Sequence, residues 1–424
     1  MTRQLHVGYL SRYLPSPSET FVLDEALSLL RMGARVQSIA IDRVRGSVRH
    51  ARFEALYKNT LVLPRSSHPA ALYASLVMDS HPLMPVVRTH WNAVTRGRDL
   101  RRAALLALRL RSLKVDVLRV HHAAETARFG AVAAILAGVP LSLAVHGRDL
   151  FVPVSDLGWI LNQAQHVTTV TPFHRERLLR AGLPSEQVTV LPCTVELPDR
   201  VATPPSEGPF RVLSVGRLVS KKGHDLLVEA CASLASEGRH VTLVIVGGGA
   251  QGLALRQLAS ERIGRSMGRF AVEFRGEEPA ETVRSLMLDG GFHCFALACR
   301  VAADGDRDGL PVSLLEAQAC GLPTITTNLP GFESQLENDR GGILLPLASG
   351  RRRETDARGP DWRSVKAALG YLFDAPPVRG RMALAARHEA EARMTPQESG
   401  DKLHAMLNRL AFMPVYDTDP PETL

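Results

Sequence analysis

Short apolar runs alternate along the chain with stretches whose apolar residues recur every three or four positions. Runs of four to six β-prone residues suit strands buried on both faces, and the 3.6-residue period suits helices that cover them. The chain therefore reads as α/β with parallel sheets. A strand is expected over 5–10, then a polar loop, then a helix with Val22, Ala26, Leu29 and Leu30 on one face and Gly33 as its stop. Ser16-Pro17-Ser18-Glu19 reads as a capping box with Pro17 at the first helical position. A strand over 36–41 completes a βαβ unit, followed by strands at 115–120, 141–145 and 167–170 and a helix around 129–137.

The pattern breaks at Val201-Ala202-Thr203-Pro204-Pro205-Ser206-Glu207-Gly208-Pro209, which reads as an interdomain linker, 201–209. A second series then begins. Strand 211–215 precedes a helix carrying Leu227, Ala230, Cys231 and Leu234, which ends at Gly238. Strand 241–246 runs into Gly247-Gly248-Gly249, with later strands at 272–275, 292–297 and 323–327. The tail from 414 to 424 is largely polar. Domains are thus expected at 1–200 and 210–389.

At 424 residues the chain is too long for one ordinary core and suits two domains. Its 45% hydrophobic and 22% charged residues are those of a soluble globular protein. The start, Met1-Thr2-Arg3, does not read as a signal peptide. The longest apolar stretch, 131–145, falls short of the ~20 residues of a spanning helix and is broken by Gly138 and Pro140. Five cysteines without a CxxC pair argue against a zinc site or a disulfide framework and fit a reducing cytoplasm.

A net charge of +8 invites a polyanionic partner. Nucleic acid is not expected, since no zinc-finger or RNP-like pattern is present and aromatics are only 5% of residues. An anionic substrate or an anionic membrane face explains the charge more simply. The basic stretch 96–114, which opens at Arg96 and closes at Lys114, sets Arg98, Arg101, Arg102, Arg109 and Arg111 among leucines. It reads either as an amphipathic helix lying on anionic lipid or as a solvated helix face over a core.

Two segments carry chemistry. In Asp304-Gly305-Asp306-Arg307-Asp308-Gly309-Leu310-Pro311-Val312-Ser313-Leu314-Leu315-Glu316-Ala317 a loop enters a helix, with Asp308 just before its start and Glu316 inside it. The first N–H groups of a helix can bind phosphate, and carboxylates nearby, being acceptors only, suit sugar hydroxyls. The aspartates also match the first positions of a calcium loop, but the closing glutamate comes one residue late, at Glu316. In Ser214-Val215-Gly216-Arg217-Leu218-Val219-Ser220-Lys221-Lys222-Gly223-His224-Asp225, cations between a strand and a helix form a diphosphate site. Neither a P-loop nor the GxGxxG of a nicotinamide enzyme is present.

In order along the chain stand His146-Gly147-Arg148-Asp149, Gly216-Arg217-Leu218 with Lys222-Gly223, Val246-Gly247-Gly248-Gly249, and Asp308-Gly309-Leu310-Pro311 with Glu316-Ala317. Through these motifs the chain resembles the family-4 glycosyltransferases of the GT-B class, bacterial transferases of exopolysaccharide or lipid-linked glycan assembly in particular. The resemblance runs from Tyr9 to about Pro346. It implies two Rossmann-like domains facing each other across a cleft, with a C-terminal helix at about 390–412 packing back on the first. It implies transfer of a hexose with retention from a nucleotide-diphosphate sugar to a glycan or polyprenyl-linked acceptor. No metal and no other cofactor is needed. The place implied is the cytoplasm, peripheral on the inner face of the membrane.

The site residues follow from the same resemblance. Arg217 and Lys222 would neutralise the leaving diphosphate. Asp308 and Glu316 stand at the ends of the family's Glu-x7-Glu pattern, where Asp308 would hold donor-sugar hydroxyls and Glu316 the ribose. His146 would contact the sugar near the reacting carbon. Gly216, Gly247, Gly248, Gly309, Leu310 and Pro311 would shape the donor site. Ser18, Glu19 and Thr20 would form the acceptor-side loop, although Glu19 also reads as a capping residue, and His121 and His122 either line the same cleft or simply pack. The sequence departs from the family pattern at Asp308, which replaces a glutamate, at Gly331-Phe332-Glu333-Ser334, and at Leu297-Ala298. A GT-B fold that binds glycan or nucleotide without turnover is the alternative.

Overall fold

The buried apolar runs become the strands of two parallel sheets, one in each of the two units into which the chain divides. The computed structural model describes residues 3–13, 19–42, 50–85, 87–88, 98–334, 336–348 and 359–412. The division falls between Pro192 and Cys193, and the chain from Pro396 onward belongs again to the first unit.

The first unit runs β1 (His6–Tyr13), α1 (Thr20–Arg31), β2 (Arg35–Asp42), α2 (Glu54–Lys58), β3 (Leu61–Val62), α3 (Pro69–Met78) and α4 (Arg98–Ser112). It continues through β4 (Val117–His121), α5 (Glu125–Ala137), β5 (Leu141–Val145), α6 (Gly147–Phe151), α7 (Leu157–Gln163), β6 (His166–Thr169), α8 (Pro172–Arg180) and β7 (Val188–Val190). The strand order is β3-β2-β1-β4-β5-β6-β7, so the chain winds outward in both directions from the β1/β4 junction. Right-handed crossovers then put α1 and α5 on opposite faces. Ligands in such sheets bind at the carboxyl ends of the strands beside this reversal.

The second unit carries β8 (Phe210–Val215), α9 (His224–Ser236), β9 (Val241–Val246), α10 (Gly252–Gly264), β10 (Phe270–Gly276), α11 (Ala280–Asp289) and β11 (Cys294–Leu297). Then follow α12 (Val312–Ala319), β12 (Thr324–Thr327), β13 (Gly342–Leu345), α13 (Trp362–Asp374) and α14 (Pro376–Glu391). Its strand order, β10-β9-β8-β11-β12-β13, reverses between β8 and β11. The last helix, α15 (Pro396–Leu410), returns to pack on α1 in the first unit.

The structure revises several expectations. Helix α1 begins at Thr20, so Pro17 does not open it; Ser16, Pro17 and Ser18 lie outside the described residues. Glu19 precedes the helix but makes no side-chain cap. The segment 201–209 is not a free linker: the Ala202 N–H donates to the Cys320 carbonyl at 2.7 Å, and its methyl joins the core of the second unit. Helix α4 buries Ala103, Ala104, Leu105, Leu106, Ala107 and Leu110 against α3 and α5. Its apolar side is therefore a core face and is closed to lipid. Gly138, left-handed at φ 69°, caps α5 and divides the long apolar stretch. No helix among the described residues is long and apolar enough to cross a membrane. The cysteines are free thiols, and all but Cys193 are buried.

Candidate active site

In the second unit, β8 ends in the loop Gly216–Val219, a single 3-10 turn follows at Ser220–Lys222, and α9 starts after Gly223. Two glycines make this possible. A Cβ on Gly223, at φ 66°, would stand 1.9 Å from the Ala298 carbonyl oxygen. One on Gly247, at φ 137°, would stand 2.0 Å from that of Gly216. Only glycine permits both the positive φ and the close approach. Gly247 and Gly248 thus serve the site from behind: the Leu218 N–H donates to the Gly248 carbonyl at 2.7 Å, and the glycine turn carries the cationic loop.

That loop aims two ammonium groups at one carboxylate. Lys222 Nζ lies 2.9 Å from Asp308 Oδ2, while Lys221 Nζ lies 3.0 Å from Asp306 Oδ1 and 3.5 Å from Asp308 Oδ1. The side chains concerned are almost fully buried. Burial alone would raise the Asp308 carboxyl, but Lys222 and Lys221, with hydrogen bonds from Lys222 and Cys299, outweigh it and hold the pKa down at about 2. Asp308 is therefore an anion and an acceptor throughout the physiological range. Lys221 fills the space between Asp306 and Asp308 where the calcium reading would put its ion.

Arg300 locks this loop from the side. Its guanidinium makes two 2.9 Å bonds to Asp225 and donates to the Ser220 carbonyl at 2.7 Å. Arg217, in contrast, is exposed, and its side chain has no ion pair or hydrogen bond among the described residues. Gly309, Leu310 and Pro311 are buried in the wall that leads into α12, where Ser313 Oγ donates to the Val215 carbonyl at 2.9 Å. Glu316, further along α12, lines a narrow cleft with Glu196 and Arg284. This cleft holds about 10 Å³, room for about one water molecule, and Arg284 pairs with Glu196 across 3.5 Å. The structure thus joins Lys222 to Asp308 and places Glu316 beside Glu196 and Arg284. In the departing loop, Glu333 accepts from the Gly331 N–H at 2.9 Å and Phe332 is fully buried.

The first unit gathers a second cluster at the carboxyl ends of β4 and β5. His146 precedes α6: the Asp149 carboxylate accepts from the His146 N–H at 2.8 Å, and the Asp149 N–H donates to the His146 carbonyl at 3.1 Å. His146 Nε2 lies 3.2 Å from His121 Nδ1. His121 Nε2 lies 2.8 Å from the Tyr9 hydroxyl and 3.2 Å from Glu25 Oε1. Glu25 accepts from Arg119 twice, at 2.9 and 3.1 Å, and Arg119, wholly buried, also donates to Ser142 Oγ and Thr168 Oγ1. His122 stands 3.3 Å from Glu19, and Phe21 packs against His146. Thr20 is half-buried at the start of α1. Glu19 is thus a partner of His122 and not a cap.

This chain of contacts fixes the tautomers. Ionised Glu25 can only accept, so the His121 proton is on Nε2, facing Glu25 and Tyr9, and its bare Nδ1 accepts from the protonated Nε2 of His146. Burial, with His122 and His121 adding to it, pushes His146 far below the ordinary imidazole range. Burial also lowers His121 against the pull of Glu25. Glu25 itself is held far below the carboxylate range: burial opposes this, and Arg119 and His121 overcome it. His146 is therefore a neutral ring whose Nε2 is engaged by His121.

Lys221, Tyr9, Glu25 and Arg119 were not among the residues singled out from the sequence. Arg119 had a signal, a charge in the middle of the apolar strand Val117-Leu118-Arg119-Val120. A strand buried on both faces tolerates an arginine only with an acid beside it.

Two family models match the chain. Glycosyltransferase Family 4 matches residues 18–198, and Glycosyl transferases group 1 matches residues 197–349. The chain is 25% identical to the putative colanic acid biosynthesis glycosyltransferase WcaL of Escherichia coli K12, over 95% of this chain and 100% of that one. It is 26% identical to the amylovoran biosynthesis glycosyltransferase AmsK of Erwinia amylovora, over 96% and 100%. Among solved structures, Anabaena HepE in complex with UDP and glucose superposes with a TM-score of 0.69 at 17% identity, over 96% of this chain and 100% of that one.

Proposed function

The chain belongs to the family-4 glycosyltransferases of the GT-B class, and on that premise we propose that it moves a hexose, with retention, from a nucleoside-diphosphate sugar to a glycan or polyprenyl-linked glycan. Its relatives named for colanic acid and amylovoran biosynthesis point to cell-surface polysaccharide as the product class.

The observation that carries this reading is the Lys222–Asp308 pair with Arg217 open on the same loop. Arg217 and Lys222 bind the diphosphate and stabilise the charge that grows on it as the sugar leaves. Asp308, ionised and fixed by two lysines, accepts hydrogen bonds from donor-sugar hydroxyls. In this reading these fixed cations perform the task that a divalent metal has in other transferases, and the reaction needs no cofactor. Glu316 binds the ribose once Arg284 and Glu196 swing aside. His146, neutral and hydrogen-bonded to His121, presents its ring edge to the sugar and takes no proton.

A lipid-linked acceptor calls for a membrane-facing side, at the inner surface of the cell membrane. With the apolar side of α4 buried, this role falls to Tyr73 and Leu76 of α3, which are 66% and 71% exposed. The exposed Arg101 and Arg109 of α4 add attraction to anionic headgroups.

The test is a thermal-shift screen of UDP- and GDP-sugars, followed by donor hydrolysis with the one that binds, since a ligand raises stability by mass action. Binding and turnover of one sugar are expected. Binding without turnover or hydrolysis under any acceptor condition would leave only the fold and the ligand.

A further inference from the structure

The first unit contains a cavity of about 170 Å³ that the donor chemistry does not use. It opens at the carboxyl ends of β1 and β2, where Arg12 and Asp42 stand, and is closed by the first turn of α5, which follows β4. That is the β1/β4 reversal of the sheet, the position where α/β sheets receive ligands. The volume is well below the ~300 Å³ or more of pockets for drug-sized ligands and suits one monosaccharide ring.

The charges in the wall are balanced, and the arginines are already engaged. Arg12 pairs with Glu125 and with Asp42, the latter at 3.6 Å. Arg102 bonds the Ile41 carbonyl and approaches Asp42 Oδ1 at 3.2 Å. Arg128 holds both carboxylate oxygens of Asp156. An anion entering here would meet Asp42, Asp99 and Glu125 without a free cation to oppose them. Two polar groups remain open. Asp99 has no hydrogen-bond partner among the described residues, and burial pushes its carboxyl up. Thr126 is only 8% exposed, and its hydroxyl makes no side-chain hydrogen bond among them. That hydroxyl and the Asp99 carboxylate are the polar groups of the wall open to a ligand. Phe129 adds an apolar surface against which the C–H face of a sugar can rest.

We infer that this cavity is a subsite for one uncharged sugar residue of the acceptor, whose hydroxyls bond Asp99 and Thr126. The assignment rests on the transferase reading above for the word acceptor alone; binding of the sugar needs no donor.

The test is saturation-transfer NMR on the full chain with methyl glycosides of glucose, galactose, mannose and fucose, and with methyl glucuronide as the charged control. UDP and GDP are titrated separately. At least one neutral glycoside is expected to bind. Asp99→Ala and the isosteric Thr126→Val should each weaken it about tenfold, the loss of one hydrogen bond, with nucleotide affinity and melting temperature unchanged. The inference is overturned if no neutral glycoside binds, if either variant binds like wild type, or if the glucuronide binds better than every neutral glycoside. Failure to bind either nucleotide would count against the donor site alone, because the glycoside experiment contains none.

Discussion

The Lys222 ammonium stands 2.9 Å from Oδ2 of Asp308, inside a wall that leaves both side chains about one-tenth exposed. A cation and an acid so placed depend on each other. The lysine keeps the acid ionised, and the acid holds the lysine at the mouth of the loop where Arg217 is open.

Lys222→Ala should lower kcat/KM for the nucleotide sugar roughly 100-fold, as expected for removal of one group that stabilises charge in the transition state. Addition of EDTA should leave wild-type turnover unchanged. Glu316→Gln should raise the donor KM more than it lowers kcat. Steady-state kinetics checks all three, and full activity in Lys222→Ala would remove the basis of the site assignment.

Asp308 ties stability to acid pH. Its folded pKa, about 2, lies below the unfolded 3.8, so the ionised acid contributes about 2 kcal/mol at neutral pH. This contribution is fully present above pH ~4 and is lost as the pH falls through about 2. Urea denaturation of wild type and Asp308→Asn across this window should show the steeper acid loss in wild type.

Glu25→Gln removes the acid that neutralises buried Arg119. Breaking such a pair from one side costs ~3–5 kcal/mol, so the melting temperature should fall by several degrees. The milder His121→Gln should retain the fold and move the His146 proton, visible as changed imidazole ¹⁵N shifts. In wild type those shifts should report a neutral, Nε2-protonated ring from pH 6 to 8. A titration of His146 inside that range would contradict the tautomer assignment.

Tyr73→Ser with Leu76→Ser should reduce sedimentation with anionic vesicles, and Arg101→Gln with Arg109→Gln should do so most clearly at low salt. Equal sedimentation of the wild type and both double variants would exclude these helices as the lipid contact.

The alternation of apolar runs and helical periods was enough to place most strands within two residues, because strands buried on both faces are composed mainly of apolar residues. The order strand, cationic loop, helix around Lys222 was legible too, and the structure sets that lysine against Asp308. Loop detail was less legible: the start of α1 at Thr20 and the packing of Ala202 depend on contacts that turn residues do not encode.

What the chain alone determined is thus the order of its elements and the chemical types at their ends, both of which follow from short-range patterns. Tertiary structure alone decided which charges meet. Glu25 and Arg119 are 94 residues apart, Lys221 and Asp306 are 85, and the His121–His146 contact spans 25. Pairing over such distances is set by which strands become neighbours, and the cost of leaving a buried charge alone then selects the partner.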